Sequence, residues 1–327
     1  MIKFPTLTKR GAITALSAIA MLAAGATAQA ADKVTVGVFP VASALPYFVA
    51  LERGYFKDVD IEVELVRLIG GPALVGAMIT NEIDAAANLV TIEGMNANLK
   101  KPGVVNYISI NSQNKKYKME QFVVGTNSGI NSYADLKGKR IMSAPGPANL
   151  TMARAVLAAN GLKKGDYQLD QLAMQHHVTA MKAGTYDAGY TLEPAASIMA
   201  KQGSARTLEA GVIAKYILGS DDADAFIAGG ALTGQFIADR PDVAKRYAAA
   251  WGRALKDIAS DDSVRKHLVK NTFTPADLAP TMPLVKFVMV GDLSADDRKE
   301  FQTFIDFASN NGILKEKVDT AKYLKAF

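Results

Sequence analysis

The 327-residue chain contains no cysteine. This excludes a disulfide scaffold, a cysteine nucleophile, a thiolate metal centre and a lipid-anchored N-terminal cysteine. Histidine is almost as scarce, with three in the chain, so no histidine-rich metal site is expected. The single tryptophan, Trp251, falls inside a helical pattern and reads as core. Phosphate loops, G-x-G-x-x-G after a strand, G-x-S-x-G elbows and H-E-x-x-H are all missing, and acidic residues form no local metal loop. Catalytic groups need not be adjacent in sequence, so these absences lower the expectation of an enzyme without removing it. No catalytic residue, metal or cofactor is assigned. Excess charge is also small. Losing Lys3, Lys9 and Arg10 lowers the net charge from +5 to about +2, which is no nucleic-acid footprint. The densest basic run, Lys115-Lys116-Tyr117-Lys118, reads as a solvated loop.

What is present is 49% hydrophobic residues, enough for large cores, and a length suited to about two domains. Those three basic residues precede the apolar run Gly11 to Ala24 and the small-x-small site Ala28-Gln29-Ala30. This order predicts a signal peptide over 1–30, cleaved near Ala30, and a chain exported to the periplasm by the general secretory route. The apolar run is too short for a membrane span, which needs roughly 20 residues.

Beyond it, period-2 and helical patterns alternate. Strands are predicted over 33–39, 60–68, 83–88 and 104–110, with helices at 46–52, 72–80 and 91–99, so a mostly parallel sheet is expected. Near Glu120 the pattern restarts. Strands are predicted over 121–125, 140–143, 168–174 and 186–192, with helices over 149–159 and 178–183 and another opening at Pro194. The weaker segments 208–210 and 213–218 follow. The apolar strand 225–232 leads back, followed by helices over 241–258, 292–309 and 315–323. The reading is two α/β lobes, the second inserted in the first: lobe 1 over 31–120, lobe 2 over 121–226, and a return over 227–327.

In open α/β sheets ligands sit at the carboxyl ends of strands, where helix starts present free N–H groups. Five such places stand out. Gly70 and Gly71 precede Pro72 and let a ligand approach the backbone. Asn88 to Thr91 follows the third strand, with Thr91 as cap or hydroxyl donor. Ala144 to Thr151 holds Pro145, Gly146 and Asn149 in an open loop and is the main anion candidate of the second lobe. Gln175-His176-His177 joins Thr191 and Glu193. His176 and His177, being adjacent, face different sides, and His177 is taken as the ligand-facing one. The fifth, Pro40 to Phe48, offers Ser43 as donor, Leu45 as a contact, and Tyr47 or Phe48 as a wall. Arg67 and Arg154 lie near these loops and read as surface.

The stretch Leu45 to Gly54 (LPYFVALERG), with Gly70 to Asp84 (GGPALVGAMITNEID), resembles the periplasmic substrate-binding proteins of nitrate/sulfonate/taurine-type ABC importers, a family that also includes binders of thiamine-pyrimidine precursors. Leu136 to Ile141 (LKGKRI), Met181 to Ala196 (MKAGTYDAGYTLEPAA) and Ala238 to Pro241 (ADRP) extend the resemblance over most of 33–260. It implies an α/β, type II periplasmic-binding-protein fold, in which two lobes joined by two crossover strands hold one small-molecule ligand in a cleft. It also implies delivery to a membrane permease and, indirectly, its ATPase. By position it marks 40–45, 70–71, 88–90, 144–149 and 191–193 as ligand loops. Asn88-Leu89-Val90, Leu192 and Gln175 to His177 depart from the common pattern where the ligand would sit, so the ligand's identity is not carried over.

The expected function is therefore capture of a small organic anion, an alkanesulfonate or taurine-like compound or an aromatic carboxylate, by hinge closure about 119–125 and 225–232. The chain is expected to act as a monomer. Three alternatives stay open: a binder of a pyrimidine-like heterocycle or amine through Glu193, Asn88 and an aromatic such as Tyr190; an enzyme on the same fold; and a sensor that engages a membrane receptor.

Overall fold

The computed structural model describes residues 1–3 and 30–327. The predicted export signal therefore lies almost wholly outside the described residues. Among those residues no helix is long and apolar enough to cross a membrane.

In chain order the first half runs β1 (Asp32–Val38), α1 (Leu45–Glu52), β2 (Ile61–Arg67), α2 (Gly70–Ile79), β3 (Ala85–Val90), α3 (Thr91–Lys100), β4 (Val105–Tyr107) and β5 (Ser109–Gln113). A second set follows: β6 (Glu120–Gly125), β7 (Arg140–Ser143), α4 (Pro147–Ala159), β8 (Gln168–Gln171), α5 (Met174–Lys182), β9 (Ala188–Leu192), α6 (Ala195–Lys201), β10 (Ala205–Ala210) and α7 (Val212–Ile217). The return comprises β11 (Ala225–Thr233), α8 (Gly234–Asp239), α9 (Pro241–Ser260), α10 (His267–Asn271), β12 (Lys286–Met289) and α11 (Ala295–Asn310).

These strands form two sheets. The first has the order β12-β5-β11-β3-β1-β2, with β4 also pairing β11; the second has the order β10-β6-β9-β7-β8. The expected mostly parallel first sheet is corrected. Only β1 pairs in parallel, with β2 and β3, while β11 runs antiparallel to β3, β4 and β5. The reason is connectivity. The chain returns from the second sheet and enters the first from the opposite end, so β11 wedges in against the run of its neighbours. The second sheet is mixed for the same reason, with β6 antiparallel to both β9 and β10. The predicted strand 104–110 is in fact two strands, and the predicted helix 315–323 is only a 3-10 turn, Thr320–Tyr323.

Apolar alternation sets where the cores sit. Val34, Val36 and Val38 of β1 face α1 and α9, which contribute Leu45, Phe48, Tyr247 and the fully buried Trp251. The Trp251 indole donates to Ser109 Oγ at 2.9 Å, which satisfies its one polar atom. Phe122, Tyr133 and Tyr190 fill the second sheet's core with edge and tilted aromatic contacts.

The chain crosses between sheets at 114–119 and 218–224, just before β6 and β11. The predicted hinge segments are strands held within one sheet each. The two crossings lie side by side. The Lys115 N–H donates to Asp221 O at 3.3 Å, and Asn114 Nδ2 donates to Asp224 Oδ1 at 3.3 Å. Two short, adjacent segments outside the sheets are where a rotation is absorbed at least cost.

Candidate ligand cleft

Between the two sheets lies a cavity of about 30 Å³. Phe39, Val41, Val90 and Ile227 wall it from the first sheet, and Met119 and Leu192 from the second. Its polar lining is Ser43, Gly71, Asn88, Glu120 and Asn149. The volume is close to one water's share of the liquid, so the two sides are drawn together. Contacts across the gap agree. The Ala42 N–H donates to Glu193 O at 3.3 Å, Gly70 lies against Pro145, and Lys201 of α6 pairs with Asp277. A larger groove, about 590 Å³, runs along α9 between Lys245 and β12, but it is built from the first sheet's side alone and no closure acts on it.

The predicted site residues divide into three groups. The first surrounds the cavity. Asn88 lies within β3 rather than in a loop after it, and its amide clamps the end of β1. The Phe39 N–H donates to Oδ1 at 3.1 Å, and Nδ2 donates to Phe39 O at 2.9 Å and to Ser43 Oγ at 3.1 Å. Ser43 thus accepts from Asn88, which leaves its own hydroxyl proton for another partner. Asn149 Nδ2 donates to Pro145 O at 2.7 Å, and the Gly146 N–H to Gln171 Oε1 at 3.1 Å, which fixes the loop before α4. Gly70, Gly71 and Pro145 complete this group. The two glycines form the first turn of α2 itself.

A second group is bonded elsewhere. His177 does not sit in a loop; it lies in α5, fully buried, while His176 beside it is exposed. Its Nε2 reaches Leu172 O at 3.0 Å, and its Nδ1 meets Thr191 Oγ1 at 2.8 Å. A carbonyl only accepts, so Nε2 carries the proton and Nδ1 accepts from the Thr191 hydroxyl. Burial pushes the His177 pKa down to about 4, holding it neutral. Glu193 Oε1 accepts from Gln121 Nε2, and Oε2 accepts the Ser197 N–H of α6 at 3.1 Å. Thr91 donates to Phe226 O at 2.9 Å instead of capping α3, whose N-cap is Val90. Each of these groups ties one strand end to its neighbour.

A third group is core. Leu45, Tyr47 and Phe48 are all buried with β1 and α9, outside the cavity wall. The two arginines near the loops are also placed away from it. Arg67 donates to Asn271 O at 2.9 Å, and Arg154 lines an outer groove with Lys163 and Lys164.

Sequence reasoning missed two carboxylates. Glu93 is the third residue of α3. Its carboxylate does not turn back on the N-cap, Val90, and lies instead against the glycines at the starts of α2 and α4. It lies where a Cβ on Gly71 would stand 1.4 Å from Oε2 and one on Gly146 2.8 Å from Oε1. Only glycine fits at position 71. Glu93 is 7% exposed, and neither oxygen completes a hydrogen bond. The Ala148 N–H of α4 draws its pKa down, but burial outweighs that and lifts it to about 7. Glu120, also 7% exposed, opens β6 and lines the cavity directly; Gln113 donates to it, and burial lifts it to about 8. A glutamate three residues into a helix reads as a capping residue. The only sequence signal for a different role was the pair of glycines, each read alone.

Of the side chains that line the cavity, none is a lysine or arginine. Among the described residues there is also no cluster of three histidine, aspartate or glutamate side chains able to hold a metal ion. In this arrangement the cavity has room for about one water, so an organic solute needs the two sides to part; the lining offers it hydrogen-bonding groups and the Glu120 carboxyl.

The fold is shared with known binding proteins. The alkanesulfonate-binding protein SsuA from Xanthomonas axonopodis pv. citri, solved with MOPS, superposes with a TM-score of 0.71 at 21% identity, covering 90% of this chain and 98% of that one. The desulfurization enzyme DSZB has the same fold, with a TM-score of 0.65 at 18% identity over 90% of this chain and 96% of that one. In sequence, a putative aliphatic sulfonates-binding protein from Bacillus subtilis (strain 168) is 25% identical over 95% of this chain and 93% of its own length. These neighbours carry the periplasmic-binding-protein architecture that the two-sheet topology describes. The NMT1/THI5-like family profile matches residues 42–263, more than half of the chain and every strand from β2 to β11, and the chain belongs to that family.

Proposed function

We propose that the chain is the periplasmic solute-binding component of an ABC-type importer, which closes two lobes on one small organic solute and presents it to a membrane permease. The observation that carries this is the cavity itself: walled from both sheets, crossed by only two adjacent segments, and bridged by contacts such as Ala42 to Glu193. The binding-protein names of the relatives support it, and the first 30 residues have the order of an export signal. The proposed lobes, read from the sequence as 31–120 with 227–327 and 121–226, shift at their edges: Glu120 opens β6 of the second sheet, and Ala225 and Phe226 belong to β11 of the first. Ser43, Gly70, Gly71, Asn88, Pro145, Gly146 and Asn149 are proposed as the ligand shell, with Thr91, His177, Thr191 and Glu193 holding its walls. Catalysis is not proposed: the histidine and Glu193 are fully bonded within the fold, and no cysteine is available. Sulfonates are the solutes that the relatives' names support, and the starts of α2 and α4 meet in the cleft.

A thermal-shift panel tests the reading, with sulfonates, nitrate, bicarbonate, aromatic carboxylates, pyrimidines and amines. A solute at 100 times its Kd should add about 2.7 kcal/mol of stability. A saturable shift from one chemical class, weakened by Asn149→Ala, is expected. A flat response across every class overturns the reading.

A further inference from the structure

The starts of α2 and α4 meet in the cleft, one from each lobe, as an anion site would require. The place between them is already taken by a carboxylate of the protein. We propose that Glu93 stands where a bound anion's charge would lie, so that the solute must bring a positively charged nitrogen or N–H donor, an amine, amidine or protonated heterocycle, to Glu93 and Glu120. This rests on the binding-protein reading above, and it sets a nitrogen-bearing solute in place of the sulfonates that the relatives' names suggest.

Three observations carry it. Glu93 is more than nine-tenths buried, and apart from the nearby Ala148 N–H neither of its oxygens has a hydrogen-bond partner, a costly arrangement unless a partner arrives. Gly71 has no room for even a methyl group beside it, and Gly146 little, so both neighbouring loops are shaped around the carboxylate. Glu120 lines the cavity itself, Glu93 lies beside it against Gly71, and neither arginine nor lysine lines it. A cationic nitrogen supplies the charge and the donors that these oxygens lack. A plain sulfonate would instead set a second negative charge against Glu93. The apolar wall of Phe39, Val41, Leu192 and Ile227 suits a compact hydrocarbon body behind the nitrogen.

The test is calorimetric titration of the purified chain at pH 8 with pairs that share a body and reverse the charge: butylamine against butanesulfonate, and benzamidine against benzoate. The nitrogen member of at least one pair should bind at least 100-fold more tightly than its anionic counterpart. Glu93→Gln should abolish that preference and allow the sulfonate to bind. If Glu93→Gln does not fold, the wild-type pairs decide alone. Binding of an anionic member with its nitrogen partner silent overturns the assignment and leaves the importer reading intact. Silence of both nitrogen probes overturns it as well, whatever the anions do. The importer reading fails only if the whole solute panel is flat.

Discussion

At the scale of single residues, the cleft is governed by protons as much as by shape. Glu93 and Glu120 have pKa values raised by burial to about 7 and 8, from 4.5. Tyr107 faces the first and Tyr190 the second; both are buried and stay protonated. A carboxyl whose pKa rises on folding favours the folded state below its unfolded value and loses that contribution as pH rises through the folded value. His177 works in the opposite direction, since its pKa is depressed to about 4, and its contribution is complete above pH 6.5. Between pH 6.5 and 8 Glu93 and Glu120 lose this contribution, and Glu193, also raised by burial, acts in the same direction. Unfolding free energy of the solute-free chain should fall by on the order of 2 kcal/mol across that window. Urea denaturation at a series of pH values measures it. The double variant Glu93→Gln, Glu120→Gln should flatten the profile, and a wild-type rise across the window would contradict the assignment of these buried carboxyls.

At the scale of elements, α11 offers a control remote from the cleft. Ser294 caps it, accepting from the Asp297 N–H at 3.0 Å, while the Asp297 carboxylate accepts the Ser294 N–H at 2.9 Å. Ser294→Ala should cost about 1 kcal/mol in chemical denaturation and leave the solute response unchanged. The alternating strands β1 and β2 and the strong helix α9 were readable in the chain, because each follows from local periodicity. The mixed sheets were not readable. Nothing within β11 marks that it enters beside β3 in reverse; that depends on the path of the chain through the second lobe. The same limit applies to His177, placed in a loop by its neighbours' polarity, where α5 in fact buries it against Thr191. Candidate loops found by strand-to-helix position, such as Ser43, Asn88 and Asn149, did come together. Glu93 escaped notice because its partners, Gly71 and Gly146, are 22 and 53 residues away in sequence and opposite it in space.

At the scale of the whole molecule, the proposed function requires two lobes to close on the cavity between the sheets. The crossings at 114–119 and 218–224 are short and mutually bonded, so relative motion of the lobes should be a hinge rotation rather than a slide. A solute seated between the lobes contacts both, and only the closed arrangement offers both surfaces at once. The most direct check is small-angle X-ray scattering of the purified chain, with and without a saturating concentration of the solute that gives the largest thermal shift. A smaller radius of gyration with solute, at unchanged molecular mass, is expected. Superimposable curves at saturation would contradict closure on a bound solute.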